Sequence, residues 1–117
     1  MINIKRLFTK GILATLALYP QVSAAGGFTG SELLEWSVEA QDSYFQTSIG
    51  MVAVVGTQTN FPNDIVECLN QWYWPNGVLD PNKNLEIRDA ITRFPTLHPQ
   101  AIVLAVIERE CGSFKND

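Results

Sequence analysis

From Leu33 onward the apolar positions of this chain recur at helical rather than strand spacing. Thr29 and Glu32 match a capping box, and Phe28 and Leu33 hold the two positions of a hydrophobic staple. A first helix is predicted through Leu33-Leu34-Glu35-Trp36-Ser37-Val38-Glu39-Ala40, with Leu33, Trp36 and Ala40 on one face. Asp42 or Ser43 then caps a second helix, or the first bends and continues. Tyr44, Phe45, Ile49, Val52 and Val55 carry the period on. Met51 to Val55 alone has the β-branched character of a strand, but the flanking period favours helix. Gly50 and Ala53 leave a low spot where another helix can come close. Gly56 to Asn60 reads as a loop.

A third helix is predicted to start near Pro62 and to carry Ile65 to Tyr73. It stops before Pro75, and Asn76-Gly77 and Asp80-Pro81-Asn82 are turn signals. A fourth runs from Leu85 to Phe94 on a stripe of Ile87, Ala90, Ile91 and Phe94, with Asp89 and Arg93 paired across one turn. Pro95 ends it. The fifth opens at His98-Pro99, and Ala101 to Ile107 is apolar on nearly every side, as the most buried helix of a bundle would be. Cys111-Gly112 closes it. The expected fold is all-α, a compact bundle of four to five helices.

The start of the chain has a different pattern. Lys5, Arg6 and Lys10 precede the short apolar run Gly11 to Tyr19, and Val22-Ser23-Ala24 supplies small residues for cleavage. Residues 1–24 are read as a secretory signal peptide, and the run is too short for a membrane span. Residues 25–117 then form a single small helical domain, exported to the periplasm or beyond. The signal takes three of the eight basic residues and none of the twelve acidic ones, which leaves five against twelve, or −7. That balance argues against nucleic acid and anionic membranes as partners. A partner steered by charge would be basic; solubility alone accounts for the acidity equally well.

Export also bears on the two cysteines, Cys68 and Cys111. An oxidising compartment makes a disulfide the default. On their helices both thiols point inward, as a bridge pinning the third helix to the fifth requires. It would close a loop of about 44 residues and contribute roughly 4 kcal/mol.

Catalytic constellations are missing from the sequence. The lone histidine, His98, sits at a helix start, where it reads as a cap or surface residue. Glu108 and Glu110 are two apart on a helix and do not face each other. The metal-site and phosphate-loop patterns are absent too. The chain is read as a binding protein rather than an enzyme, with no cofactor. The longest polar connection, Trp74 to Asn84, is the expected contact, with Trp74, Asn76, Gly77 and Asp80 as candidates. On a helical wheel Trp72 lies centrally in the apolar arc of the third helix, Tyr73 toward its edge, and Trp74 opposite. Trp72 is expected in the core and Tyr73 half-buried. Trp74 either folds back under the Pro75-Asn76-Gly77 turn or faces a partner, and the cost of an exposed tryptophan favours the first.

Several of these features together resemble a family. They are the signal peptide, Phe28-Thr29-Gly30-Ser31-Glu32-Leu33-Leu34-Glu35-Trp36, and the small-residue segment Ile49-Gly50-Met51-Val52-Ala53-Val54-Val55. One cysteine follows, then an amphipathic helix, His98-Pro99, an Ala/Val/Leu-rich helix and the closing Cys111. The pattern resembles the Tai-type immunity proteins, periplasmic proteins that protect bacteria from type VI secretion amidase effectors. That resemblance implies a helical protein that binds a peptidoglycan-cleaving amidase and blocks its active-site groove, often as a homodimer. Ile49 and Met51 beside Gly50, and Cys68 within a helix, depart from the family pattern. A second resemblance is to the HdeA-type periplasmic acid-stress chaperones, which are also small, helical, exported and single-disulfide. This chain lacks the cysteine that family carries near the mature start. A small exported helical protein with some other binding role is the third reading.

Overall fold

The computed structural model describes residues 27–115, and the signal peptide reading of 1–24 lies outside them. The described chain is all-α, with no strand. The helices are α1 (Gly30–Leu34), α2 (Val38–Gln58), α3 (Asn63–Tyr73), α4 (Pro81–Arg93) and α5 (Pro99–Cys111), with a 3₁₀ turn at Pro75–Gly77. The Cys68–Cys111 disulfide joins α3 to the end of α5, with an S–S distance of 1.96 Å and a Cα–Cα distance of 5.7 Å.

The capping box forms as expected. Thr29 N–H donates to the Glu32 carboxylate at 2.9 Å, and the Thr29 hydroxyl accepts from Glu32 N–H. Two further N–H groups of the first turn are satisfied from outside the helix. Gly30 donates to the Leu97 carbonyl at 2.8 Å and Ser31 to that of Pro95 at 2.9 Å, so α1 docks on the α4–α5 connection. Gly30 is needed for that approach, since a Cβ there would lie 2.6 Å from Ile91 Cγ2. Phe28 packs against the core cluster that includes Leu33. Its ring packs against those of Trp36, Tyr44 and His98, with centroids 5.4, 6.0 and 5.7 Å away.

The first helix is shorter than its periodicity predicts. It ends at Leu34, and α2 starts afresh at Val38 with Ser37 as cap, so neither Asp42 nor Ser43 holds that place. The Ser37 hydroxyl accepts from Ala40 N–H at 3.1 Å. Gln41 stabilises the break from below. Its buried side-chain amide donates to the carbonyls of Leu34 and Trp36 at 3.3 and 2.9 Å. Those carbonyls at the end of a short helix would otherwise lack partners. Trp36 is left 43% exposed rather than on a shared face with Leu33.

At its far end α2 outruns the expectation, continuing through the predicted Gly56–Asn60 loop as far as Gln58. The close approach of a second helix falls at Gly56 and not at Gly50. A Cβ on Gly56 would meet Val66 Cγ2 at 2.6 Å and Phe61 Cδ2 at 2.8 Å, whereas one on Gly50 would meet nothing within 4 Å. The fourth helix starts at Pro81, one turn earlier than Leu85, because Asp80 caps it by accepting from Asn82 N–H at 3.0 Å.

The core gathers Leu33, Phe45, Ile49, Leu69, Tyr73, Ile87, Ile91, Val103 and Ile107, all at 0% exposure. Within α3 the expected roles are exchanged. Tyr73 is fully buried and donates its hydroxyl to the buried Asn84 Oδ1, while Trp72 packs at the core's flank with Lys83 Nζ 5.3 Å above its ring. Ile65, Leu69 and Tyr73 make the buried spine, centred to one side of the predicted arc. Helix α5 is less enclosed than its composition predicts. Ile102, Val103, Val106 and Ile107 are buried, but Ala101 and Ala105 face outward. A half-buried ion cluster braces α2 against α4: Arg88 donates from Nε to Gln41 Oε1 at 2.6 Å and from Nη2 to Asp42 Oδ1 at 2.5 Å. The exposed Asp89–Arg93 pair also forms, and is worth a few tenths of a kcal/mol.

Candidate functional site

The connection from α3 to α4 is where the sequence points to a contact. It is tighter than the eleven residues from Trp74 to Asn84, because Asp80 already caps α4. Trp74 N–H donates to Asn70 O at 3.0 Å, Gly77 N–H to Trp74 O at 2.9 Å, and Asp80 N–H to Tyr73 O at 3.0 Å. The chain thus makes one turn and returns to its starting level. Asn76 and Gly77 both take positive φ, 57° and 79°. Asparagine and glycine are the residues that accept this conformation at low cost.

The structure separates the four candidates. Trp74 is folded back: its ring stands edge-on to Tyr73, 4.7 Å between centroids, and packs at the margin of the core. Asp80 caps α4 and lies 4.0 Å from Lys83 Nζ. Asn76 and Gly77 form the exposed tip, and Val78 beside them is 68% exposed. Trp74 and Asp80 therefore build the turn, while Asn76, Gly77 and Val78 present it. Val78 escaped the sequence reading, since one apolar residue after Asn-Gly carries no period.

Beneath the turn, burial raises the Tyr73 hydroxyl well above its ordinary pKa of about 10, against a smaller opposite pull from the Asn84 hydrogen bond. Burial also raises Tyr44, opposed by a hydrogen bond with Ser48. Both hydroxyls are neutral at physiological pH, and that of Tyr73 donates to Asn84. His98 is the N-cap of α5, its Nδ1 accepting from Gln100 N–H at 3.0 Å. Among the described residues no three His, Cys, Asp or Glu side chains gather into a metal-binding group. None of the described helices is long and apolar enough to cross a membrane.

A second surface lies along α2. A groove of about 620 Å³ opens between α2 and α5, walled by Met51, Val52, Val55, Phe61, Leu104 and Phe114, with Thr47, Ser48 and Gln100 as its polar members. Phe61 and Phe114 close one end, their rings 5.0 Å apart. Phe114 is held there by its own N–H, which donates to the Glu108 carboxylate at 3.1 Å. Met51, Val54 and Val55 are 58, 57 and 40% exposed. A groove of this size and character is typical of binding sites. The sequence gives one signal for it: residues 43–63 contain no charged side chain in an otherwise acidic chain. A neighbouring groove of about 450 Å³ lies between α2 and α3, lined by Gly56, Thr57, Thr59, Val66, Glu67 and Asn70. No protein-family model, curated protein or solved structure matches this chain.

Proposed function

We propose that the mature chain is an exported, periplasmic binding protein of the immunity type. It acts by binding a peptidoglycan-cleaving amidase effector and blocking its active-site groove, and it carries out no reaction of its own. The resemblance supplies the class of partner. The observation that carries the contact is the Asn76-Gly77-Val78 tip, exposed on a turn that three backbone hydrogen bonds close. The helices on either side are fixed: α3 by its disulfide to α5, and α4 by the Tyr73–Asn84 hydrogen bond. A protruding segment that is already ordered loses little entropy on entering a cleft.

The test is growth. Cells that direct a type VI amidase effector to their own periplasm lyse, and co-expression of this protein should restore growth against its cognate enzyme. The purified pair should bind with a Kd of about 1–100 nM by calorimetry. Val78→Glu at the tip should abolish rescue while leaving the thermal melt unchanged. Failure to bind or protect against any amidase effector of the same genome refutes the reading. Suppression of client aggregation at about pH 3, where most carboxylates are neutral, would replace it with an acid-stress chaperone.

A further inference from the structure

The tip of the α3–α4 turn pairs two residues whose joint chemistry the fold does not use. Among the described asparagines, Asn76 alone is followed by glycine. Asn63, Asn70, Asn82 and Asn84 lie within helices, and Asn60 precedes the bulky Phe61. The backbone nitrogen that follows an asparagine is a latent nucleophile toward the carbonyl carbon of its side chain. A side chain on the following residue crowds that approach, and Gly77 has none. Asn76 and Gly77 are both exposed to water, and nothing lies within 4 Å of the Cβ position of Gly77.

The folded turn holds this pair in an unreactive arrangement. Asn76 has φ 57° and ψ 27°. At that ψ, in an L-residue, the Gly77 nitrogen stands nearly trans to the Asn76 Cβ across the Cα–C bond and points away from Cγ. Its N–H is also engaged, donating to Trp74 O at 2.9 Å. Attack therefore needs rotation about the Cα–C bond of Asn76 and loss of that hydrogen bond. Little opposes the swing. The Gly77 and Val78 N–H bonds sit at the surface, and Asn76, Gly77 and Val78 are all exposed. A segment held by a few solvent-exposed hydrogen bonds opens locally without unfolding the domain.

We propose that Asn76 is a site of spontaneous deamidation, gated by the opening of this turn. In the open form the Gly77 nitrogen gives its proton to hydroxide and attacks Asn76 Cγ. The N–Cγ bond forms, the Cγ–Nδ2 bond breaks, and ammonia leaves. Water then opens the cyclic imide. Breaking the Cγ–N bond gives aspartate; breaking the bond from the main-chain carbonyl to nitrogen gives isoaspartate. The net change consumes one water and releases one ammonia. Either product replaces a neutral amide by a carboxylate, and isoaspartate also lengthens the backbone of the turn by one carbon. The chemistry is independent of the partner. Its consequence, a tip altered in charge and shape, rests on the contact proposed above.

The test follows the purified protein, with its disulfide formed, in mildly alkaline buffer made with heavy-oxygen water. Peptide mapping by mass spectrometry reads label uptake at each asparagine, and enzymatic methyl transfer counts isoaspartate. A synthetic peptide of residues 72–79 gives the ungated rate. Asn76 should convert ahead of every other described asparagine, with isoaspartate the larger product, at a rate about 10- to 100-fold below that of the peptide. Urea sufficient to unfold the chain should restore the peptide rate. Pro75→Ala frees the backbone just before Asn76 and should speed conversion about two- to fivefold, while the thermal melt stays close to that of the parent. Asn76→Gly keeps a residue that accepts positive φ and should abolish the signal at the tip. No label at Asn76 by the time the slowest expected rate would have converted half the sample overturns the proposal, as does earlier conversion of another asparagine. Conversion at the peptide rate, with no response to Pro75→Ala, overturns the gating. Aspartate formed without isoaspartate overturns the imide route in favour of direct hydrolysis.

Discussion

Reducing the Cys68–Cys111 bond measures how much of this small fold rests on one covalent link. The bridged residues are 43 apart in sequence. Loop-closure entropy for a ring of about that size amounts to roughly 4 kcal/mol at 25 °C. Little else should change in the folded state. Both cysteines are half-buried, so Ala in their place leaves no large void. Helices α3 and α5 also touch directly, so the native contact outlives the bond. The loss therefore falls mainly on the unfolded ensemble, which expands when the ring is opened. For a domain of this size each kcal/mol moves the melting temperature by about 4–8 °C, so reduction should lower it by about 15–30 °C.

The assay is thermal circular dichroism on the oxidised protein, the reduced protein and the Cys68→Ala/Cys111→Ala double variant. Urea titration of the same three samples adds a second readout. If the bond acts through the unfolded chain, the urea m-value should rise when the bond is removed, because the chain then exposes more surface on unfolding. A melting temperature that falls by less than about 5 °C would refute the entropic argument. A large fall with an unchanged m-value would instead place the effect in the native packing of α3 on α5.

Three other outcomes follow from the packing. Tyr73→Ala should cost about 3–5 kcal/mol in urea unfolding, more than Trp72→Ala, because Tyr73 is the fully buried ring; the reverse order would restore Trp72 to the core. Tyr73→Phe should cost about 1–3 kcal/mol at neutral pH by stranding Asn84 Oδ1. It should also flatten the alkaline limb of stability: the folded state holds the Tyr73 proton more tightly than the unfolded chain, so stability is steady below pH of about 10 and falls as pH rises beyond it. Gln41→Leu should cost about 1–3 kcal/mol by removing the donors to Leu34 and Trp36 and the acceptor for Arg88, and amide exchange should speed up in α1 before the rest of the chain.

Features that rest on local chemistry were legible in the sequence. The capping box, the Pro75-Asn76-Gly77 turn, the His98 cap and the Gly112 stop are each encoded by residues within a few positions. The disulfide was legible because the expected compartment, the face of each cysteine and the helix order all agreed on it. What the sequence withheld depended on which neighbour covers which face. The break at Glu35–Ser37 is fixed by Gln41 and Arg88, and Arg88 lies 47 residues further along the chain than Gln41. Met51, Val54 and Val55 continue an apolar period, but the other described helices leave that side of α2 uncovered. Their exposure was therefore not visible in the pattern.

Helix α3 shows where such a reading loses its hold. Its apolar arc spans about 160° on the wheel, from Cys68 at one edge through Trp72, Ile65 and Leu69 to Tyr73 and Val66 at the other. Hydropathy places the centre of that arc toward the core, which predicts Ile65 and Leu69 correctly and Trp72 wrongly. It does not say which of the two edges a third helix will close. In the structure the Tyr73 edge is closed, because Asp80 starts α4 one turn early and brings Asn84 to the Tyr73 hydroxyl. The Cys68 edge is left to the disulfide and to Lys83, which shields one face of Trp72. A four-residue difference in where α4 begins thus exchanged the roles of two adjacent aromatics. It also set the proposed contact surface. With Tyr73 fixed to Asn84 and Trp74 laid against Tyr73, Asn76, Gly77 and Val78 form the exposed tip of the turn. Trp74→Ala should then act on binding indirectly, by loosening the turn beneath the tip. Asn76→Pro separates the two roles, because proline cannot adopt the positive φ of that position. It should disrupt the tip while leaving the Trp74 packing in place. If the partner tolerates Asn76→Pro but not Trp74→Ala, the tryptophan itself is the contact and the division of the turn into support and tip is wrong.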